Sequence, residues 1–140
     1  MIRFSKIDPQ DMRIWVFIGA ISGGLSVITG AFGAHALRER LTVRELEVYQ
    51  TACHYQITHA LALVALGVFA GQLAQNGANA ALGSVNFAGW AFTIGTILFS
   101  GSLYALALTD IKILGAITPL GGVGFILGWG AFALSAWRAA

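Results

Sequence analysis

Charged positions along the chain fall in short clusters separated by long apolar runs. Asp, Glu, Lys and Arg are absent from Ile14 to Leu37 (24 residues), from Val48 to Thr109 (62 residues) and from Ile113 to Trp137 (25 residues). A helix needs about 20 apolar residues to cross the roughly 30 Å hydrocarbon layer of a membrane. The outer runs therefore hold one span each, and the middle run holds two spans and a turn. The turn is marked by Gly71, Gln72, Gln75, Asn76, Gly77 and Asn79, residue types that punctuate helices. The pattern predicts helices near 14–37, 52–71, 86–109 and 112–137. The expected fold is all-α, an integral membrane four-helix antiparallel bundle forming one domain over residues 1–140. A membrane β-barrel would alternate apolar and polar residues, and the segment Ala60 to Leu66 is apolar throughout.

Local signals refine the helix ends. Thr42 followed three residues later by Glu45 fits a capping box, so the second helix starts before its membrane entry. Its first turns then carry Arg44, Glu47, Thr51 and His54 on one face. Pro119 admits two readings, as an early residue of the last helix or as a kink within it. The apolar stretch Ile111 to Ile117 favours a helix from Lys112 kinked near Pro119. Asp110 is placed to cap that helix, with Lys112 reaching the headgroups. Trp15, Trp129, Trp137, Tyr49 and Tyr55 are expected interfacial anchors. Arg3, Lys6 and Arg13 resemble the basic start of a signal peptide. The apolar run behind them exceeds the roughly 7–15 residues of a cleaved segment, which predicts a retained helix.

Composition narrows the class. Only 10% of the 140 residues are charged, 57% are hydrophobic and 18 are glycine. So few charges cannot cover a water-soluble globule, and disordered chains are polar. The single Cys53 excludes a disulfide scaffold. The net charge of +2 does not form a basic stripe, so no nucleic acid is expected as a partner. Arg3, Lys6, Arg13 and Arg138 on one side balance Arg38, Arg40, Arg44 and Lys112 on the other. The positive-inside rule thus ties, and both termini are expected in the cytoplasm of a bacterial inner membrane.

Helices in lipid associate through small residues. Gly19 and Gly23, Gly30 and Gly33 in the first helix, and Gly124 with Gly128 in the fourth, are the expected packing positions. The third helix carries Gly89, Thr93, Thr96, Ser100 and Tyr104 on one face, read chiefly as hydroxyls bonded to backbone or across helices. The candidate polar cluster is His35, Arg38, His54, Tyr55, Gln56 and His59, gathered where the first two helices meet. His54 and His59 are five apart, about 140° around a helix, so they do not converge on a metal. No metal, cofactor or catalytic set is expected. The leading reading is a hydrogen-bond latch from His35 to Tyr55, Gln56 or His59, and Cys53 reads as a small apolar side chain.

Four ordered segments carry a resemblance. These are Gly30-Ala31-Phe32-Gly33-Ala34-His35-Ala36-Leu37, Tyr55-Gln56-Ile57-Thr58-His59-Ala60-Leu61-Ala62, Phe99-Ser100-Gly101-Ser102-Leu103-Tyr104 and Thr118-Pro119-Leu120-Gly121-Gly122. Over about Gly19 to Trp137 the chain resembles the domain of unknown function 423 family, which takes in transmembrane protein 256-like and YgdD-like small inner-membrane proteins. The resemblance implies a multi-pass membrane protein and implies no activity. The expected function is that of a non-enzymatic accessory subunit or packing partner in a larger membrane complex. The alternatives are a small transporter or channel for a proton, ion or small solute using His35 and His59, or a redox module in the lipid phase. The expected partners are membrane lipids, with a larger complex or a homo-oligomer.

Overall fold

The computed structural model describes residues 13–139. Arg3 and Lys6, which enter the charge balance above, lie outside them. Four long apolar helices run in chain order: α1 (Arg13–Leu37), α2 (Val43–Gln75), α3 (Asn79–Thr109) and α4 (Lys112–Arg138). Each is long and apolar enough to cross a membrane, with mean hydropathy between 1.6 and 1.8. Large apolar side chains such as Val27, Ile28, Leu61, Ile97, Leu120 and Ile126 face outward. A surface this apolar is at home in lipid and not in water.

The helix ends follow local chemistry. Thr42 is the N-cap of α2, and its hydroxyl accepts from the Glu45 N–H at 3.3 Å. The Glu45 carboxylate in turn accepts from the Thr42 backbone N–H at 2.7 Å, which completes the capping box. Arg44 and Glu47 form an exposed pair at 3.7 Å on the following turn. At the other end of α2, Gly77 adopts φ 74°. Its N–H donates to the Ala74 carbonyl at 3.3 Å, and the Ala78 N–H donates to the Leu73 carbonyl at 2.9 Å. This is a Schellman stop, which needs a left-handed residue where the chain leaves the helix.

Two expectations change here. Asp110 does not cap α4; it terminates α3 in a left-handed conformation with φ 54°, which a short polar side chain tolerates. The stretch Lys112–Ala116 is a tight 3-10 helix, and the α-helix proper begins at Thr118 with Pro119 in its first turn. The break expected near Pro119 is therefore a change of helix type. A proline at that position lacks only a backbone N–H that has no helical partner anyway.

Antiparallel pairing is fixed by contacts along each hairpin. In the α1–α2 hairpin, Gly19 lies against Ala60 and Val64, while Gly33 lies against Tyr49. In the α3–α4 hairpin, Gly128 lies under Phe92, Gly95 under Phe125, and Gly121 against the backbone of Phe99. Ser102 and Thr118 close this hairpin at 2.8 Å at one end, and Arg138 donates to Ser84 at 2.9 Å at the other. α2 is the most enclosed of the four spans. Its residues Leu63, Leu66, Ala70 and Leu73 join Leu82, Val85, Phe92 and Phe125 in the main core.

Two helices contain a π segment, Gly33–Leu37 in α1 and Ile97–Gly101 in α3. The second has a visible effect. Fifteen residues of regular α-helix from Gly89 to Tyr104 overshoot four full turns by about 60°. The wider π turn takes that overshoot back. Gly89 and Tyr104 therefore both meet α1, Gly89 beneath Trp15 and Tyr104 beside Thr29.

Candidate functional site

The densest polar grouping lies inside the bundle, where α1, α2 and α3 meet. Gln56 of α2 is buried, and its Nε2 donates to the Ser22 carbonyl of α1 at 3.1 Å. The Tyr104 hydroxyl of α3 donates to Gln56 Oε1 at 2.7 Å. Its single proton is then spent, so its oxygen is left to accept. The Thr29 hydroxyl stands 3.0 Å away and Cys53 Sγ 3.3 Å away to supply a donor. Tyr49 adds a fourth tie by donating to the Thr29 carbonyl at 2.8 Å. Three helices are thus joined by a network whose members satisfy one another. In lipid no water is present to do so.

This network, and not a histidine latch, links α1 to α2. His35 is exposed within the π segment of α1, Arg38 is exposed in the following turn, and His54 is exposed on the outer side of α2. Gln56 is the one member of the predicted cluster that enters the network. Cys53 is half-buried and takes part in it. Tyr49 and Trp15 are packed inside the bundle, with Trp15 1% exposed, so neither is an interfacial anchor. Trp137, 82% exposed, stands where an anchor would.

His59 belongs to a second grouping on the α4 side. Its ring stacks on Phe125 with centroids 3.5 Å apart and planes 8° from parallel. Its Nδ1 lies 2.8 Å from the Tyr55 carbonyl, which can only accept, so Nδ1 carries a proton. Trp129 Nε1–H donates to Nε2 at 3.3 Å. Both ring nitrogens are engaged in the neutral tautomer, and a second proton on Nε2 would face the Trp129 donor. Tyr55, half-exposed, lies over Phe99 at 4.3 Å. These rings line an outward groove of about 600 Å³ with His54 and Thr58 at its rim.

A second cavity, of about 420 Å³, opens between α1 and α3 above the Gln56 network. It is lined by Ile18, Ile21, Leu25 and Leu63, with Gln56, Thr93, Thr96, Ser100 and Tyr104 contributing polar edges. Thr93 and Thr96 bond back to the carbonyls of Gly89 and Phe92, both at 2.8 Å. Ser100 has no partner. Among the described residues, no three His, Cys, Asp or Glu side chains are grouped to hold a metal.

Of the glycines singled out from sequence, Gly19, Gly33, Gly124 and Gly128 lie in helix contacts. Gly23 has ordinary spacing to Ala60 and Ile57, and Gly30 faces open space. The tightest contacts also use Gly89, Gly95 and Gly121. Thr29, Tyr49 and Cys53 were not legible as site members. Thr29 lies 75 positions from Tyr104, and nothing local pairs them.

Four apolar spans and an internally satisfied polar network define a small multi-pass helical membrane protein. Residues 29–122 match the family described as "Protein of unknown function (DUF423)". The UPF0382 membrane protein of Staphylococcus saprophyticus is 46% identical over 118 residues, which cover 84% of this chain and 92% of that protein. The UPF0382 membrane protein YwdK of Bacillus subtilis is 46% identical over 118 residues, covering 84% and 91%. The Staphylococcus haemolyticus protein of the same name is 47% identical, covering 84% and 90%. No solved structure matches. The chain belongs to the DUF423 family, the UPF0382 membrane proteins.

Proposed function

We propose that this protein is a non-enzymatic accessory subunit, a packing partner for a larger complex in a bacterial inner membrane, with both termini in the cytoplasm. The observation that carries this reading is the outer face of α1. Gly24 faces open space there, alongside the exposed Ala20 and Ala31. A helical glycine costs about 1 kcal/mol relative to alanine, and within this bundle nothing packs on Gly24. A neighbouring helix would convert that cost into close backbone approach. The charged hairpin from Arg38 to Glu47, with His35 and His54 beside it, supplies a polar contact surface at one end. The proton-transport alternative has less support, because His59 is held neutral on the α4 side while His35 points outward.

The test is extraction into native nanodiscs followed by mass measurement of the particles. A stoichiometric partner chain is expected. Gly24→Leu is expected to release that partner while leaving the unfolding midpoint of the bundle unchanged. Particles containing this chain alone would sink the proposal.

A further inference from the structure

The first turns of α3 and the last turns of α4 leave an open groove on the outer side of the bundle, of about 620 Å³. On α4, Ile126, Gly130, Leu134 and Arg138 follow one another at four-residue spacing and form one stripe. Gly83 and Phe87 of α3 line the groove from the other helix. Its two glycines keep it open. A Cβ added at Gly83 or at Gly130 would meet nothing within 4 Å, so no other part of the bundle fills what they leave.

The groove has the length and depth of a lipid chain. Ile126 and Arg138 are 12 residues apart, roughly 18 Å of helix. One leaflet contributes roughly 15 Å of hydrocarbon. α4 has 27 residues, roughly 40 Å in all, so its ends reach beyond the hydrocarbon layer. Its last turn, with the exposed Trp137 and Arg138, lies at headgroup depth, where tryptophan anchors and basic side chains are favoured. The groove therefore opens among the headgroups and runs down a single leaflet. Openness toward the bilayer is what an occupant arriving from the bilayer requires.

Charge selects the headgroup. Arg138 is exposed, and one of its N–H groups donates to Ser84 of α3 at 2.9 Å. That bond ties the guanidinium across the mouth of the groove. A guanidinium carries five N–H donors, so four remain for a phosphate, which it grips bidentately. Among the described residues Arg138 has no carboxylate partner. The acids among them, Glu39, Glu45, Glu47 and Asp110, all belong to the opposite end of the bundle. No described side chain near the mouth would thus take the ammonium of a zwitterionic headgroup, whereas a net-negative headgroup meets a cation.

We propose that the α3–α4 groove seats an anionic phospholipid of the leaflet on the side of the chain termini, with its phosphate on Arg138 and one acyl chain over Gly83 and Gly130.

The test uses the full chain in mild detergent, with native mass spectrometry counting the lipids it retains. The probes are phosphatidylglycerol, phosphatidylcholine with the same acyl chains, and inorganic phosphate. The wild type is expected to hold one phosphatidylglycerol about fivefold more tightly than phosphatidylcholine, the effect of one basic residue at an anionic headgroup. Arg138→Gln should remove that preference. Arg13→Gln, at the same end of the bundle but outside the groove lining, should keep it. Gly130→Leu should abolish retention of the lipid while keeping the wild-type unfolding midpoint. Equal retention of the two lipids, an equal loss in Arg13→Gln, or wild-type binding in Gly130→Leu would overturn the proposal. So would inorganic phosphate binding as tightly as the lipid, or a dimer of this chain that Gly130→Leu breaks up. If Arg138→Gln does not fold, the wild-type lipid comparison and Gly130→Leu decide. These readouts do not depend on whether a partner chain is present.

Discussion

At the scale of single residues, stability inside the bundle turns on who donates to whom. Tyr104 has one proton and three polar neighbours, and its shortest contact, to Gln56 Oε1, can only accept. Tyr104→Phe removes that donor and strands the amide oxygen in a water-free interior. The expected loss is about 1 kcal/mol, the upper part of the range for such bonds in membranes. Reversible unfolding in mixed micelles measures it. A Tyr104→Phe/Gln56→Leu double variant should recover part of the loss, because both partners are then gone; strict additivity would show that the two are not coupled. The sequence flagged Gln56 but matched it to the wrong partner, His35, while the Tyr104 face bonds as read, to backbone at Thr93 and Thr96 and across helices at Tyr104. Histidines drew attention as the titratable groups, while the ties are made by hydroxyls, an amide and carbonyls that are ordinary by composition. A span that is apolar on every side gives no periodic contrast to show which of its faces is inside.

At the scale of helices, glycine placement separates contacts that exist from positions that are open. At Gly121 a new Cβ would press on the backbone nitrogen of Phe99 and sit 2.8 Å from the Gly95 carbonyl. Neither is the movable end of a side chain. At Gly130 it would meet nothing within 4 Å. Gly121→Ala is therefore expected to lower the unfolding midpoint by several degrees. Gly130→Ala should leave it equal or slightly higher, given alanine's advantage of about 1 kcal/mol in a helix. Thermal unfolding of the two variants side by side checks both, and equal midpoints would refute the close α3–α4 packing. The sequence showed where helices are and where they stop, through charge gaps, the Thr42–Glu45 box and the Gly77 turn, because those signals are local. It did not show the π segments, which depend on how α3 meets α1.

At the scale of the molecule, four spans place the α1–α2 and α3–α4 connections on one side and the α2–α3 turn on the other. In a Cys53→Ala background, cysteines at Glu39 and Lys112 should react with an impermeant maleimide in intact cells. A cysteine at Asn76 should react only after permeabilisation, as expected for cytoplasmic termini. Opposite behaviour of positions 39 and 112 would refute the four-span topology. The length of α3 carries a further constraint. Most membrane helices absorb a gained or lost residue at their ends, where only depth changes. Deleting one residue between Ile97 and Gly101 would leave a regular α-helix of adequate length. With fourteen regular residues between them, Gly89 and Tyr104 would then stand about 40° short of four full turns, moving Tyr104 off Gln56 and Ser102 off Thr118 together. In this span the residue count sets an angle as well as a thickness, so a one-residue deletion there should be tolerated far less than one at either end.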